Sequence, residues 1–247
     1  MKILLTIAAS LVVFAAVMLF NLPARWVSGL LPANISCGEL SGTVWNGSCA
    51  PFAIQGLPPL GVLSWDLSPL SALTGRITGP ATLANEQLQA SADLALRWSG
   101  DGEISALKAR LPLDPQLVPG LPPNTRGTTI VDVAKLVIAQ GKLAELRGVI
   151  EARDLQDVGA NAMSLGSYSL SFDGPVAADG SLTGRLVDLG GPLAVGADLT
   201  VTAAPGYRIE GTVAVRPEAP DRLRRQLEIL GPADAGGRRP FALEGTF

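Results

Sequence analysis

The sequence contains no histidine. The commonest general base, the commonest neutral metal ligand and every Ser-His-Asp or Cys-His arrangement are therefore excluded. Cysteine is nearly as scarce: with Cys37 and Cys49 alone, one chain cannot assemble a four-ligand Cys/His zinc site. Charge is thin, at 17% of residues, and 19 Lys and Arg against 22 Asp and Glu leave a net charge of −3. That balance lacks the basic excess that phosphate backbones require, so nucleic acid is not an expected partner. Aromatic residues make up 5%, too few for the girdles of an outer-membrane barrel. The terminal Phe247, after an alternating strand, has a superficial likeness to the last residue of such a barrel. Neither GxxxxGK[ST] nor GxGxxG occurs, which removes the glycine-rich phosphate cradles.

One long apolar run is present, and no second. Ile3 to Phe20, ILLTIAASLVVFAAVMLF, carries no charge, and at helical rise it spans about 27 Å, close to the hydrocarbon thickness of a bilayer. It is longer than the apolar core of a cleaved signal and lacks a clean small-x-small site before Arg25. A retained anchor over residues 1–21 is expected, with a cleaved signal as the alternative. Lys2 precedes the run and Arg25 follows it, a weak bias that places the N-terminus in the cytoplasm and the bulk of the chain outside it. Residues 22–36 then form an interfacial foot and linker, with Trp26 at headgroup level. In an oxidising compartment Cys37 and Cys49 are a natural disulfide pair; two buried thiols in a reducing space are the alternative.

Past Pro32 the periodicity is two. Leu88, Ala90, Ala92, Leu94, Leu96 and Trp98 form one apolar face, with Gln89, Ser91, Asp93 and Arg97 on the other, the pattern of a half-buried strand. The same alternation marks Leu193 to Val201 and Tyr207 to Val215. Further strands are expected over Val62 to Leu67, Ile104 to Leu111, Thr128 to Ala139, Leu143 to Ala152, Tyr168 to Phe172, Leu182 to Val187 and Phe241 to Phe247. Asp101-Gly102, Gln140-Gly141, Asp179-Gly180 and Pro205-Gly206 supply hairpin turns. Helical signals are few: Asp221 as the cap of a helix that Gly231 stops, and single turns at Ser68-Pro69 and Asp114-Pro115. The expected fold is mainly β: an N-terminal transmembrane helix, then a strongly curved, mostly antiparallel sheet or partly closed roll, with a two-sheet sandwich less favoured. Residues 37–247 make the β-rich domain, with halves 37–111 and 124–247 meeting at the proline-rich Pro112 to Pro123.

In GELSGTVWNGSCAPF, Gly38 to Phe52, Ser41-Gly42 reads as a turn, Thr43 to Trp45 as the start of a strand, and Asn46-Gly47 as a bulge or a second turn. A structural hairpin is the reading preferred over a catalytic loop. Glu145 and Glu151, or Asp154 and Asp157, lack the apolar context that tunes a catalytic carboxylate and read as solvated outer faces. Arg222, Arg224 and Arg225 read as a solvated helix face. No catalytic, cofactor-binding or metal-ligating residue is assigned.

LSGTVWNGSCAPF followed by LPPLGVLSWDLSPLSALTGRITGPATL resembles the opening of the type II secretion system protein N family (general secretion pathway protein N), and LEILGPADAGGRRPFALEGTF is similar to that family's ending. The resemblance covers nearly the whole chain. It runs through G-T-x-W-x-G at Gly42, Thr43, Trp45 and Gly47, G-x-L-x-W-x-L-x-P with Trp65 and Pro69, then Gly75, and a final L-G-x-x-D-x-x-G-R with Gly231, Gly237 and Arg238. The cysteines are not part of that pattern. The resemblance implies a non-enzymatic, cofactor-free component of the secretion apparatus of Gram-negative bacteria, anchored in the inner membrane with a periplasmic domain. Its implied partners are the outer-membrane secretin and the inner-membrane platform proteins. A rigid sheet can offer an edge for strand addition, and Phe241, Leu243 and Phe247 of the final strand, or the Val44 to Ile54 segment, are the candidates. The alternative function is a periplasmic lipid-binding or lipid-transfer protein with an apolar β-groove, resembling the AsmA-like family; an unassigned envelope protein is a third.

Overall fold

The structure, a computed structural model, describes residues 7, 10–11, 13–14, 17–30, 34–115, 121–159, 162–202 and 206–246. It divides into two compact units, Met1–Gly100 and Asp101–Phe247.

In the first unit a 3-10 helix, Ala24–Leu30, precedes β1 (Ile35–Gly42), β2 (Asn46–Ile54), β3 (Gly61–Asp66), β4 (Arg76–Ala84) and β5 (Gln89–Arg97), with the short α1 (Pro69–Ala72) between β3 and β4. Each strand pairs antiparallel with the next. In β5 the alternation holds as far as Leu94: Gln89, Ser91 and Asp93 are exposed, whereas Ala90, Ala92 and Leu94 are half-buried, as in a sheet with one covered face. Beyond it Leu96 and Trp98, expected on the covered face, are exposed because the strand runs out at the end of the sheet. β1 and β4 are not among the expected strands. β1 is rich in Ser and Gly and carries little apolar signal; β4 contains Gly79-Pro80, which reads as a turn. Pairing overrides both signals. Pro80 is opposite Asp93 of β5 and lies beyond the stretch of β4 that pairs with β3, so its missing N–H takes nothing from the ladder on that side.

The register of the first hairpin corrects the sequence reading. Thr43 to Trp45 is the turn itself and not the start of a strand, and Asn46-Gly47 already belongs to β2.

The second unit is a meander: β6 (Gly102–Leu113), β7 (Thr125–Ala139), β8 (Lys142–Asp157), β9 (Met163–Pro175), β10 (Leu182–Gly190), β11 (Leu193–Thr202), β12 (Gly206–Val215), then α2 (Asp221–Leu227), a 3-10 turn (Glu228–Leu230) and β13 (Arg238–Thr246). Antiparallel pairing again follows sequence order. The β7–β8 turn has left-handed Gln140 (φ 52) and Gly141 (φ 74), the two positive angles of a type I′ turn whose twist suits flanking strands. Val133, Phe172, Leu182, Ala197 and Val213 are buried along the strands, and Ala219 and Leu223 are buried around α2. Asp221 is the first helical residue, not the cap; Pro220 holds the cap position.

The sheet of this unit does not close on itself among the described residues. Pairing runs from β6 through to β13, and among the described residues β13 has β12 as its one strand partner. Among the described residues no helix is long and apolar enough to cross a membrane. Those described within Ile3 to Phe20 are helical, with Ile7, Leu11, Val13, Phe14 and Val17 exposed. The rest of that run lies outside the described residues, as does most of the turn proposed after Asp114-Pro115.

Candidate functional site

The G-T-x-W-x-G residues build one object. Gly42 adopts φ +78, a left-handed angle that glycine takes without strain, and this reverses the chain into the Thr43–Trp45 turn. The Thr43 N–H donates to the Asn46 carbonyl (2.8 Å), and the Asn46 N–H donates to Thr43 Oγ1 (3.0 Å). The turn is pressed onto the end of the N-terminal helix. Trp45, 8% exposed, donates its indole N–H to the Leu19 carbonyl (2.8 Å), the Val44 N–H donates to Leu22 O (2.9 Å), and Thr43 bridges to Pro23. Trp65 donates its indole N–H to Val44 O (3.0 Å). Its ring passes so close to Gly47 that a Cβ there would lie 2.7 Å from it. Buried indole N–H groups need a partner, and here both partners are backbone carbonyls, so the two tryptophans act as pegs between segments. Pro69 opens α1 within its first turn, and Gly75 (φ +78) ends that loop, its carbonyl accepting from the Trp98 N–H (3.3 Å). Gly42, Thr43, Trp45, Gly47, Trp65, Pro69 and Gly75 thus gather at one end of the first sheet.

Cys37 and Cys49 are joined in a disulfide between β1 and β2, with Cα atoms 5.6 Å apart. Beside them, a shallow cavity of about 390 Å³ is lined by Ser41, Ser48, Ser64, Thr82, Trp65 and Asp66 among others. Register explains the hydroxyls: Ser41 is opposite Ser48, Ser48 opposite Ser64, and Ser64 opposite Thr82. The lining is mixed, the hydroxyls and Asp66 standing beside Trp65 and Pro80.

The C-terminal motif is a loop closing on the base of β13. Gly231 (φ +96) stops the 3-10 turn and Gly237 has φ +74. Asp234 is the hub: its Oδ1 accepts from the Gly236 and Arg238 N–H groups (both 2.8 Å), its carbonyl accepts from Gly237 (2.9 Å), and its own N–H donates to Arg238 O (2.7 Å). Arg239 Nη1 donates to the Gly231 carbonyl. Sequence reasoning singled out Gly231, Gly237 and Arg238 and had the aspartate within the motif, but gave Asp234 no role and missed Arg239. The readable signal was an aspartate ahead of a glycine pair, the composition of an Asx turn.

β13 leaves one edge unpaired among the described residues. The Arg216 N–H donates to Pro192 O, which sets the even-numbered residues of β12 towards β11 and the odd-numbered ones towards β13. By the register Ile209 opposite Leu243 and Gly211 opposite Phe241, the odd residues of β13 bond to β12 and the even ones face outwards. Arg238 and Pro240 agree: the Arg238 carbonyl is taken by Asp234 instead of β12, and Pro240 has no N–H to give. The open stretch is therefore Pro240 to Thr246. Phe241 is half-buried and Leu243 exposed; Phe247 lies outside the described residues. Val44 to Ile54 has no such edge, because β2 is flanked by β1 and β3.

Several of the carboxylates, Glu145, Glu151 and Asp157 among them, are engaged by neighbouring cations or backbone. Glu145 binds Lys135 and Arg147, each at 2.7 Å, and the Lys135 hydrogen bond foremost holds its carboxyl below the usual range. Glu151 binds Arg153 (2.7 Å), and Asp157 accepts from Gly159 N–H (2.9 Å). Asp188 clamps the β10–β11 turn: it accepts from Arg216 and from the Val195 N–H (3.0 Å), while Arg216 also donates to Gly191 O (2.8 Å). Burial pushes the Asp188 carboxyl up, but Arg216 and Val195 together outweigh it and the net direction is down. Of the α2 arginines, Arg224 donates to the Pro217 carbonyl (2.6 Å), while Arg222 and Arg225 are exposed. Among the described residues no group of three metal-ligating side chains occurs.

No curated protein and no solved structure matches the chain. The family model for Type II secretion system (T2SS), protein N matches residues 33–242. That span takes in both tryptophan motifs and the Asp234 loop, so the chain belongs to the protein N family and is a component of the type II secretion system.

Proposed function

We propose that this chain is a non-catalytic scaffold of the secretion apparatus. It sits in the inner membrane of a Gram-negative cell through its N-terminal apolar run, with the N-terminus cytoplasmic and the bulk of the chain periplasmic. It helps to assemble or stabilise the transenvelope machine, and its partners are the outer-membrane secretin and the inner-membrane platform proteins. The observation that carries this reading is the outer edge of β13, where the even-numbered backbone groups from Pro240 to Thr246 have no strand partner among the described residues. Such an edge accepts an extended segment of a partner by main-chain hydrogen bonding.

The parity of β13 supplies the test. Ala242→Pro removes an outward N–H and spares the ladder to β12; Leu243→Pro removes an inward one and breaks it. Under the scaffold reading, Ala242→Pro protein purifies from membranes folded but without its secretion partners, and export of folded enzymes falls. Leu243→Pro instead unfolds β13. Full partner recovery and full export with Ala242→Pro would refute strand addition at this edge.

A further inference from the structure

The first unit exposes apolar side chains that its own packing does not use. Leu70 of α1 is 65% exposed, Leu73 just after it 78%, Trp98 beyond β5 72%, and Trp26 in the 3-10 helix 66%. All four lie at the same end of the sheet, and hydrogen bonds show it. Val44 and Trp45 bond back to Leu22 and Leu19, the Leu67 N–H donates to Trp45 O, and the Ser68 N–H donates to Thr78 O (2.7 Å). The indole N–H of Trp98 donates to Ala72 O (3.3 Å), so its ring is fixed beside α1 although most of it is uncovered.

Charge at this end is mixed: two arginines without ion-pair partners among the described residues and, at the tip of β3, the exposed Asp66. Arg76 and Arg97, at the tips of β4 and β5, are opposite each other in the ladder and both exposed. Like charges directly opposite destabilise a sheet, and among the described residues neither arginine has an ion-pair partner. Asp93 lies back along the ladder at the level of Pro80, and Asp66 ends β3 opposite Asn46. Exposed Leu, Trp at the rim and unpaired Arg are the side chains that the boundary between lipid headgroups and acyl chains takes up. The N-terminal apolar helix ends at this same place, held by Trp45.

We infer that this end of the first unit rests on the surface of the bilayer that the apolar run enters. Leu70, Leu73, Trp26 and Trp98 occupy the headgroup–acyl boundary, and Arg76 and Arg97 sit against anionic lipid phosphates. The inference rests on the anchoring reading and deepens it. A single helix lets the domain swivel, whereas a second contact at α1 and the β4–β5 tips, displaced from the helix across the sheet, fixes its attitude to the membrane. A second protein would account for the apolar side chains, but not for their place beside the exit of the apolar helix with unpaired arginines.

The test uses the full chain in vesicles of phosphatidylcholine and phosphatidylglycerol containing a lipid with a nitroxide near the headgroup end of its acyl chain. Because Cys37 and Cys49 are joined, an environment-sensitive dye goes only to a new thiol: Leu73→Cys, Gln87→Cys at the opposite end of the same sheet, or Phe14→Cys in the apolar run. The dye at 73 is expected to shift to the blue and to be quenched, and the dye at 87 to do neither. Arg76→Glu with Arg97→Glu should abolish quenching at 73 while leaving it at 14. A dye at 73 that behaves as the one at 87 does overturns the inference, whatever happens at 14. So does a dye that is silent in vesicles but shielded within the assembled secretion apparatus, which would identify a protein partner. Quenching at 73 without quenching at 14 would keep the surface contact and sink the anchor. Should Leu73→Cys fail to fold, quenching of native tryptophan fluorescence by the same lipid, with its partial loss in Trp98→Phe, decides the same point: no quenching of the native tryptophans overturns the contact.

Discussion

The first and second units hold their ends together by different chemistry. In the first, segments distant in sequence are joined by indole N–H groups on backbone carbonyls, Trp45 on Leu19 and Trp65 on Val44, and by the Cys37–Cys49 disulfide. In the second, the corresponding work falls to ion pairs and carboxylate–backbone bonds: Asp188 with Arg216, Glu145 with Lys135 and Arg147, and Asp234 within its loop. Indole and disulfide ties depend little on pH or salt. Ion pairs depend on both. The unit carrying the tryptophan motifs is thus the one whose ties respond least to pH and salt.

Substitutions that break each kind of tie should separate the units. The largest effect is expected from Trp45→Ala, which empties a buried aromatic site and takes from the Leu19 carbonyl its indole donor; large-to-small changes of this kind cost about 3 to 5 kcal/mol. Denaturant unfolding with a reporter in each unit should show the loss in the first unit. Equal loss in both would mean that the ties are not local. Next is Cys37→Ser with Cys49→Ser, which should lower the stability of the first unit by about 3 kcal/mol in the chain-entropy model for a loop of this size. The reduced wild-type protein should match the double variant in the same titration.

Acid should act on the second unit. Because the Asp188 carboxyl is held down in the folded protein, its contribution is complete above its unfolded value of about 4 and is lost as pH falls through the depressed folded value. Asp188→Asn should remove that part of the acid dependence and leave the first unit's titration unchanged, as unfolding midpoints measured across the acid range would show. The smallest effect belongs to the exposed pair of Arg208 and Glu244, 2.7 Å apart. Glu244→Gln should change stability by less than about 1 kcal/mol, as surface pairs do, so a larger loss would show that the β13 edge is held by charge.

Much of this contrast is legible from residues. Alternation in Gln89 to Arg97 and in Tyr207 to Val215 reports strands directly, since a half-covered sheet sorts side chains with period two. The glycines and tryptophans of the motifs could be picked out, but not their purpose. Nothing local in G-T-x-W-x-G says that Trp45 reaches a carbonyl on the preceding helix, because that partner is distant in sequence. β1 and β4 were invisible for the same reason: Ile35–Gly42 and Arg76–Ala84 are strands because of their neighbours, not their composition.

By itself the sequence determined the class of the protein. Lacking histidine and phosphate loops and repeating short amphipathic strands between turn residues, it specifies an antiparallel β chain, and its motifs specify the family. Tertiary structure alone decided that the second unit's sheet is not closed among the described residues, that Val44 to Ile54 is interior while Pro240 to Thr246 is an edge, and that Leu73, Trp98, Arg76 and Arg97 gather at the end of the first sheet onto which the apolar helix docks. Periodicity records which face of a strand is buried. Which strand ends a sheet, and what gathers at its end, depends on pairings between segments far apart in the chain, and those carry no local signature.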